Sequence, residues 1–387
     1  MPAPTNIIGA ARQQTVFAVK ETMRGAMAFP AAAAPLIIPA GYVDLSQNPS
    51  FTNSEEVKNS RDVLAQFQDA MLAGTFSIPI YARPDGTAGS APMGDVLFES
   101  LLGSKAVSGG SAVVYSPAMS KPSFSLFSKR GHTVFFALGA VAETLRLSAK
   151  NKGAVLFEVG GSFMQMGWAG RDAVKTTATA DATSVQVYDA KKYTVGAVIW
   201  NASKADKGVN GYTVTAVNTI TNTLTLSTGV GAGGWTQDDI IEGYLPAGTS
   251  VGAPLESRKT SLTIGGITKS IKELSLSYDD KVKMLDDEIT TNGYPTDYAE
   301  NNRSVTGSLS SYFRQNDMAQ FMDGIAGSEQ AISLIVGDTA GKKLQIDMPR
   351  CKLQVPKVSA NAPTLDVSID YTALGTEGED SITLTWK

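Results

Sequence analysis

Residues 123–161 read SFSLFSKRGHTVFFALGAVAETLRLSAKNKGAVLFEVGG, and they decide the fold class. Phe124 and Leu126 alternate with small polar partners, and Lys129-Arg130-Gly131 supplies a turn before a new run starts at Thr133. Leu145 and Leu147 then alternate with Thr144, Arg146 and Ser148. After Asn151-Lys152-Gly153 the pattern resumes at Val155, Phe157 and Val159. Apolar side chains at every second position turn one sheet face to a core and the other to water. Three or four antiparallel strands joined by short turns are therefore expected. The chain is expected to be mainly β with short helices, of the β-sandwich or half-barrel kind.

Upstream, TFSIPIY (75–81) reads as a further strand, which Pro79 would confine to a sheet edge because it cannot donate to the ladder. In GDVLFESLLG (94–103) the period changes. Val96, Leu97 and Leu101 share one helical face, and Gly103 stands where a helix would stop. The same order returns near the C-terminus. Leu262 and Ile264 precede a Gly265-Gly266 turn, then Ile271, Leu274, Leu276 and Tyr278. VTGSLSSYF (305–313) is a strand, and NDMAQFMDGIAG (316–327) a helix with Met318, Phe321, Met322 and Ile325 spaced to bury one face. AISLIVGD and KLQIDMP form a hairpin around Thr339-Ala340-Gly341, and TLDVSIDYTAL and SITLTWK close the chain. The polar stretches 55–61 and 286–303 each lead into strand, connection and helix. This predicts a duplicated domain, against the plainer reading of two α+β domains sharing an order of elements.

A length of 387 residues and 43% hydrophobic content allow two or three cored domains. Composition marks three blocks: 1–170, 171–250 and 251–387. The middle block holds no Phe, Met, Cys or His and is crowded with Thr, Ala, Gly and Val. Its Val185/Val187, Tyr193/Val195, Val198/Trp200, Tyr212/Val214 and Leu224/Leu226 pairs, with a turn at Asn210-Gly211, predict a small β-barrel with its own core.

The chemical inventory is thin. One cysteine (Cys351) and one histidine (His132) exclude an internal disulfide, Cys/His zinc sites and HExxH metalloproteases. No phosphate-binding loop, dinucleotide fingerprint or GxSxG elbow occurs. Asp279-Asp280 and Asp286-Asp287-Glu288 gather carboxylates without a calcium-loop pattern, so solvated loops are expected there. His132 reads as a surface residue and Cys351 as semi-buried. Trp168 and Trp235 lie near the block borders, where a large aromatic seals a domain contact. No catalytic, cofactor-binding or metal residue is assigned, no cofactor is expected, and the chain is not expected to be an enzyme. A net charge of −4 argues against a broad nucleic-acid-gripping face. The N-terminal residues lack the basic start, apolar core and cleavage site of a secretory signal. The aperiodic stretch 26–40 carries Phe29, Leu36, Ile37 and Ile38, which must be covered either by their own domain or by a neighbour.

The stretches GAARQQTVFAVKETMRGAMAFP, EEVKNSRDV and 123–161, with KTSLTIGG, IKELSLSYDDKV and VTGSLSSYF, resemble the tail tube (major tail) proteins of long-tailed, non-contractile bacteriophages, of the type with two tube domains. The resemblance covers 1–170 and 251–387 and rests on element order and turn placement. It implies a subunit that forms homo-oligomeric rings, here trimeric with pseudosixfold symmetry, stacked into a tube in the virion tail. It also implies tape measure and tail terminator or baseplate proteins as partners, and DNA passing through the lumen without specific binding. The arm 1–40 and the loops 41–62 and 278–303 would meet the next subunit or ring. The helices would lie outside the conduit wall, and the 171–250 block would be displayed outside the tube. Glu143, Glu158 and Glu273 become candidates for the lumen. The competing expectation is another virion or cell-surface β protein that binds carbohydrate or a receptor.

Overall fold

The computed structural model describes residues 13–56, 62–150, 152–288, 293–314, 318–361 and 363–387. Residues 1–12 of the arm, 57–61 and 289–292 of the two polar loops, and 316–317 of the expected second helix lie outside the described residues. The fold is mostly β, with two α-helices among the described residues: α1 (Asp95–Leu102) and α2 (Met318–Ala326).

The chain packs as two units, each assembled from three separated segments. One holds residues 1–37, 124–140 and 163–249, the other 38–123, 141–162 and 250–387. These units cut across the three compositional blocks. Residues 123–161 hold three strands, within the expected three or four, and the division falls inside the long middle one, Thr133–Lys150. At Gly139, φ is +63° and the place of a side chain is taken by Met164. Only glycine tolerates both conditions cheaply inside a strand.

In the first unit, Gln14–Lys20 pairs antiparallel with Phe124–Arg130, which pairs in turn with the start of Thr133–Lys150. Gln165–Ala169 lies along the other edge of residues 134–138. Residues 171–243 form a sheet in the order Arg171–Ala173, Ile240–Gly243, Val198–Asn201, Tyr212–Asn218, Thr223–Leu226, Ser184–Gln186. Its core is not self-contained, contrary to the expectation of a barrel with its own core. Val185, Val187, Ile199, Tyr212, Leu224, Trp235 and Ile241 share one buried cluster with Phe17, Phe127, Val134 and Phe136. Short strands of Thr, Val and Gly offer too little apolar surface to stand alone, so the phenylalanines of the adjoining hairpin complete the core.

In the second unit one sheet runs from Gly74–Tyr81 through Leu156–Phe163, residues 141–150, Glu273–Asp279, Ser304–Tyr312 and Thr364–Leu374 to Lys342–Leu353. Asp44–Ser46 pairs on the far side of Gly74–Tyr81, so that strand is not the edge Pro79 suggested. The three-residue partner ends before the proline, and Pro79 O accepts from Ala40 N at 2.6 Å. Lys342–Leu353 also pairs with Glu329–Thr339 and Thr383–Trp386. Strand 141–150 of the N-terminal half meets Glu273–Asp279 of the C-terminal half in full register, Lys150 opposite Glu273 and Thr144 opposite Asp279. The two halves that repeat the element order are thus hydrogen-bonded into one sheet.

The helices differ. α1 starts after Gly94 and stops at Gly103 (φ +92°), whose N–H donates to Glu99 O, within a residue of the expected span. Leu97, Phe98, Leu101 and Leu102 are buried. α2 leaves Met318, Met322 and Ile325 exposed, against the expectation that they bury. Its covered face carries Gln320 and Gly324 instead. A side chain at Gly324 would come within 2.9 Å of the Val355 backbone, so a close approach through glycine sets the helix's rotation.

Candidate functional site

The alternation across 141–150, Glu273–Asp279 and Ser304–Tyr312 buries Leu145, Leu147, Leu274, Leu276, Tyr278 and Leu309. The opposite face presents Arg146, Ser148 and Lys150 beside Glu273, Ser275 and Ser277, then Thr306, Ser308 and Ser310. It is polar, rich in serine and carries both signs. Lys150 Nζ is 3.3 Å from Glu273 Oε1, and Glu158 stands opposite Arg146 while accepting from Ser77 Oγ at 3.2 Å. Ser275 and Ser308 are hydrogen-bonded across strands at 2.8 Å. Of the three expected lumen residues, Glu158 and Glu273 lie on this face. Glu143 is half-buried, and burial raises its carboxyl pKa.

Residues 29–37 of the arm are folded onto their own unit, which answers one half of the alternative left by the sequence. Phe29 packs edge-on against Phe127 at 5.5 Å and stacks on Tyr244 at 6.2 Å. Leu36 N donates to Thr249 O and Ile37 N to Val16 O, and Ile37 is buried. Glu21, at the end of the first strand, accepts from Ser125 Oγ, Gly139 N and Gly25 N at 2.8–2.9 Å. The apolar residues from 29 to 37 are therefore satisfied within the chain.

Other expectations move inward. Trp235 is fully buried, edge-on to Tyr212 at 5.2 Å, and donates Nε1–H to Asp206 at 2.8 Å; it is a core residue rather than a border seal. Trp168 is half-exposed, with its Nε1 3.4 Å from Lys191 O. His132 Nδ1 lies 2.6 Å from Glu242 Oε2, so this surface histidine is hydrogen-bonded to a carboxylate. Cys351 is completely buried, and burial pushes its thiol pKa up from 9.0 to about 12. Such a thiol stays protonated and inert at neutral pH.

The largest departure concerns Asp280, expected in a solvated loop. It is 1% exposed and pairs with Lys121, itself 2% exposed. Lys121 Nζ also donates to Ala142 O at 3.2 Å. Arg303 Nε lies 3.4 Å from Asp280 Oδ1, and its Nη1 is bonded to Glu379 at 2.6 Å. The Tyr278 hydroxyl is 3.3 Å from Asp280 Oδ2. Burial lowers the Lys121 pKa and raises that of Glu300, whose main charged neighbours are Lys121 and Asp280. The alternation Leu274, Leu276, Tyr278 carries on to Asp280 and puts it on the buried face, but nothing around Lys121, in a proline-flanked connection, marks its partner. The rest of the acidic region behaves as expected: Asp287 pairs with Lys283 in solvent at 3.6 Å. Among the described residues no group of three or more His, Cys, Asp or Glu is placed to hold a metal ion.

No curated protein matches the chain. Solved structures similar to part of the chain include the following. A chain from the anti-feeding prophage tube-terminating cap is 13% identical, covering 36% of this chain and 95% of its own, at a TM-score of 0.29. Chains from a native gene transfer agent virion and an empty gene transfer agent tail are 9% and 10% identical. They cover 31% and 33% of this chain and 93% of their own, each at a TM-score of 0.25. At these values the likenesses do not bear on function. Residues 224–385, which begin inside the middle block and take in the C-terminal sheet and α2, match the family model of the phage tail tube protein.

Proposed function

We propose that this chain is a structural subunit of a phage tail tube, polymerising into stacked rings that form the conduit for DNA delivery. The match of residues 224–385 to the tail tube family carries the reading. The unbroken sheet joining the two halves supports a pair of tube-like modules in one chain, and with it trimeric rings of pseudosixfold symmetry. The blocks 1–170 and 251–387 would then correspond to the two tube-like domains, with 171–250 as an added β module. The virion tail is its place, with tape measure and terminator or baseplate proteins as partners. The polar face around Ser148, Ser275 and Ser308 suits a lumen through which DNA must slide. Its cations are matched by nearby carboxylates, as in Lys150–Glu273, so they offer phosphates few free charges for counterion exchange.

Negative-stain microscopy of the concentrated protein tests the reading. Regular hollow rings or tubes are expected. A monomer at every concentration that instead retains glycans would replace this reading with the surface-binding one.

A further inference from the structure

Lys121 precedes strand Phe124–Arg130 and Asp280 directly follows strand Glu273–Asp279, so their contact ties distant parts of the sequence inside one unit. As an ion pair the site is poorly satisfied. An ammonium has three donors, yet among the described residues Lys121 Nζ meets only the Asp280 carboxylate, the Ala142 carbonyl and, 6.0 Å from its centroid, the Tyr278 ring. Asp280 Oδ1 accepts no hydrogen bond despite the nearby Arg303. Two charges so far from water are costly unless fully bonded. A secondary amide in the same place would carry one N–H, for which Ala142 O waits at 3.2 Å, and one carbonyl oxygen beside the Arg303 guanidinium.

We propose that Lys121 and Asp280 condense spontaneously into an intramolecular isopeptide bond, with the Tyr278 hydroxyl beside the departing oxygen. The ammonium first passes one proton to the carboxylate, giving a neutral amine and a carboxylic acid. Burial favours the neutral amine and lowers the Lys121 pKa. The amine lone pair adds to Asp280 Cγ and the C–N bond forms. A proton then passes from the nitrogen to Oδ2, beside the Tyr278 hydroxyl, as the C–Oδ2 bond breaks. One water leaves, nothing is oxidised or reduced, and no co-reactant is needed. Fixed contact inside the fold replaces the activation that amide formation needs in solution. The inference does not depend on whether the chain forms tubes.

Intact-mass spectrometry of the full-length wild-type protein is the test, and it needs no variant to fold. The expected mass is one water below that of the sequence, with fragmentation yielding a branched peptide that joins Lys121 to Asp280. Lys121→Ala and Asp280→Ala should each keep the full sequence mass. A wild-type protein at its full sequence mass, or a water loss mapped elsewhere, overturns the proposal.

Discussion

α1 and α2 stand at corresponding places in the repeated order of elements, yet one is a core element and the other a surface one. α1 inserts Phe98 among Tyr115, Phe157 and Trp386, with ring centroids 5.4–5.8 Å away. Its first turn is tied down by Asp95, which accepts from Tyr115 and from Lys105 at 2.6 Å. α2 touches its sheet through Gly324 and an edge contact between Phe321 and Phe313 at 6.5 Å, while Met318, Met322 and Ile325 face outward. Equal helical periodicity therefore does not imply equal burial. An apolar stripe says which residues share a face, but not whether anything in the same chain covers that face.

The contrast can be broken most forcefully at Phe98. Phe98→Ala should destabilise the fold by about 3–5 kcal/mol, because the ring is fully buried and three aromatic neighbours surround the cavity it leaves. Denaturant unfolding of wild type and variant gives the difference, and a loss below about 1 kcal/mol would mean α1 is no more part of the core than α2.

The helix ends sharpen the comparison with a smaller effect. Both stop at a left-handed glycine, Gly103 at φ +92° and Gly327 at φ +64°. A side chain at Gly103 would lie 2.9 Å from Ser120 O, whereas at Gly327 it would meet nothing within 4 Å. Gly327→Ala should then cost about 1 kcal/mol from conformation alone, and Gly103→Ala more, up to about 3 kcal/mol. Equal melting shifts would contradict the crowding at Gly103. The smallest effect is expected at Met322, which is 66% exposed. Met322→Ala should change stability by no more than about 0.5 kcal/mol; a loss on the scale of Phe98→Ala would show that α2 is covered after all.

Part of this was legible in the chain itself. The alternation at 123–161, the Gly103 stop and the hairpin around Thr339-Ala340-Gly341 predicted strands, a helix end and a turn, all of which the structure holds. Each is a local signal, carried by side-chain period or by one residue's backbone freedom. The polar side of the expected lumen strands was legible for the same reason, and Glu158 and Glu273 do lie on it. The Lys121–Asp280 pair was only half legible: Asp280 continues the buried alternation of Leu274, Leu276 and Tyr278, but Lys121 lies outside any apolar pattern and the two meet through distant parts of the chain. For Trp235, position near a compositional border suggested the seal of a domain contact, whereas it sits in a core beside Tyr212 and Asp206.

The sequence by itself determined the β class, the turn positions, the span of α1 and the scarcity of catalytic and metal-binding residue types. Those follow from composition and from contacts between near neighbours in the chain. Only the tertiary structure decided that the middle block shares its core with Phe17, Phe127 and Phe136, that residues 29–37 are covered by their own unit, and that α2 turns a glycine rather than methionines to the backbone at Val355. Each outcome depends on which distant surfaces meet and how closely their backbones approach, and local periodicity carries no record of either.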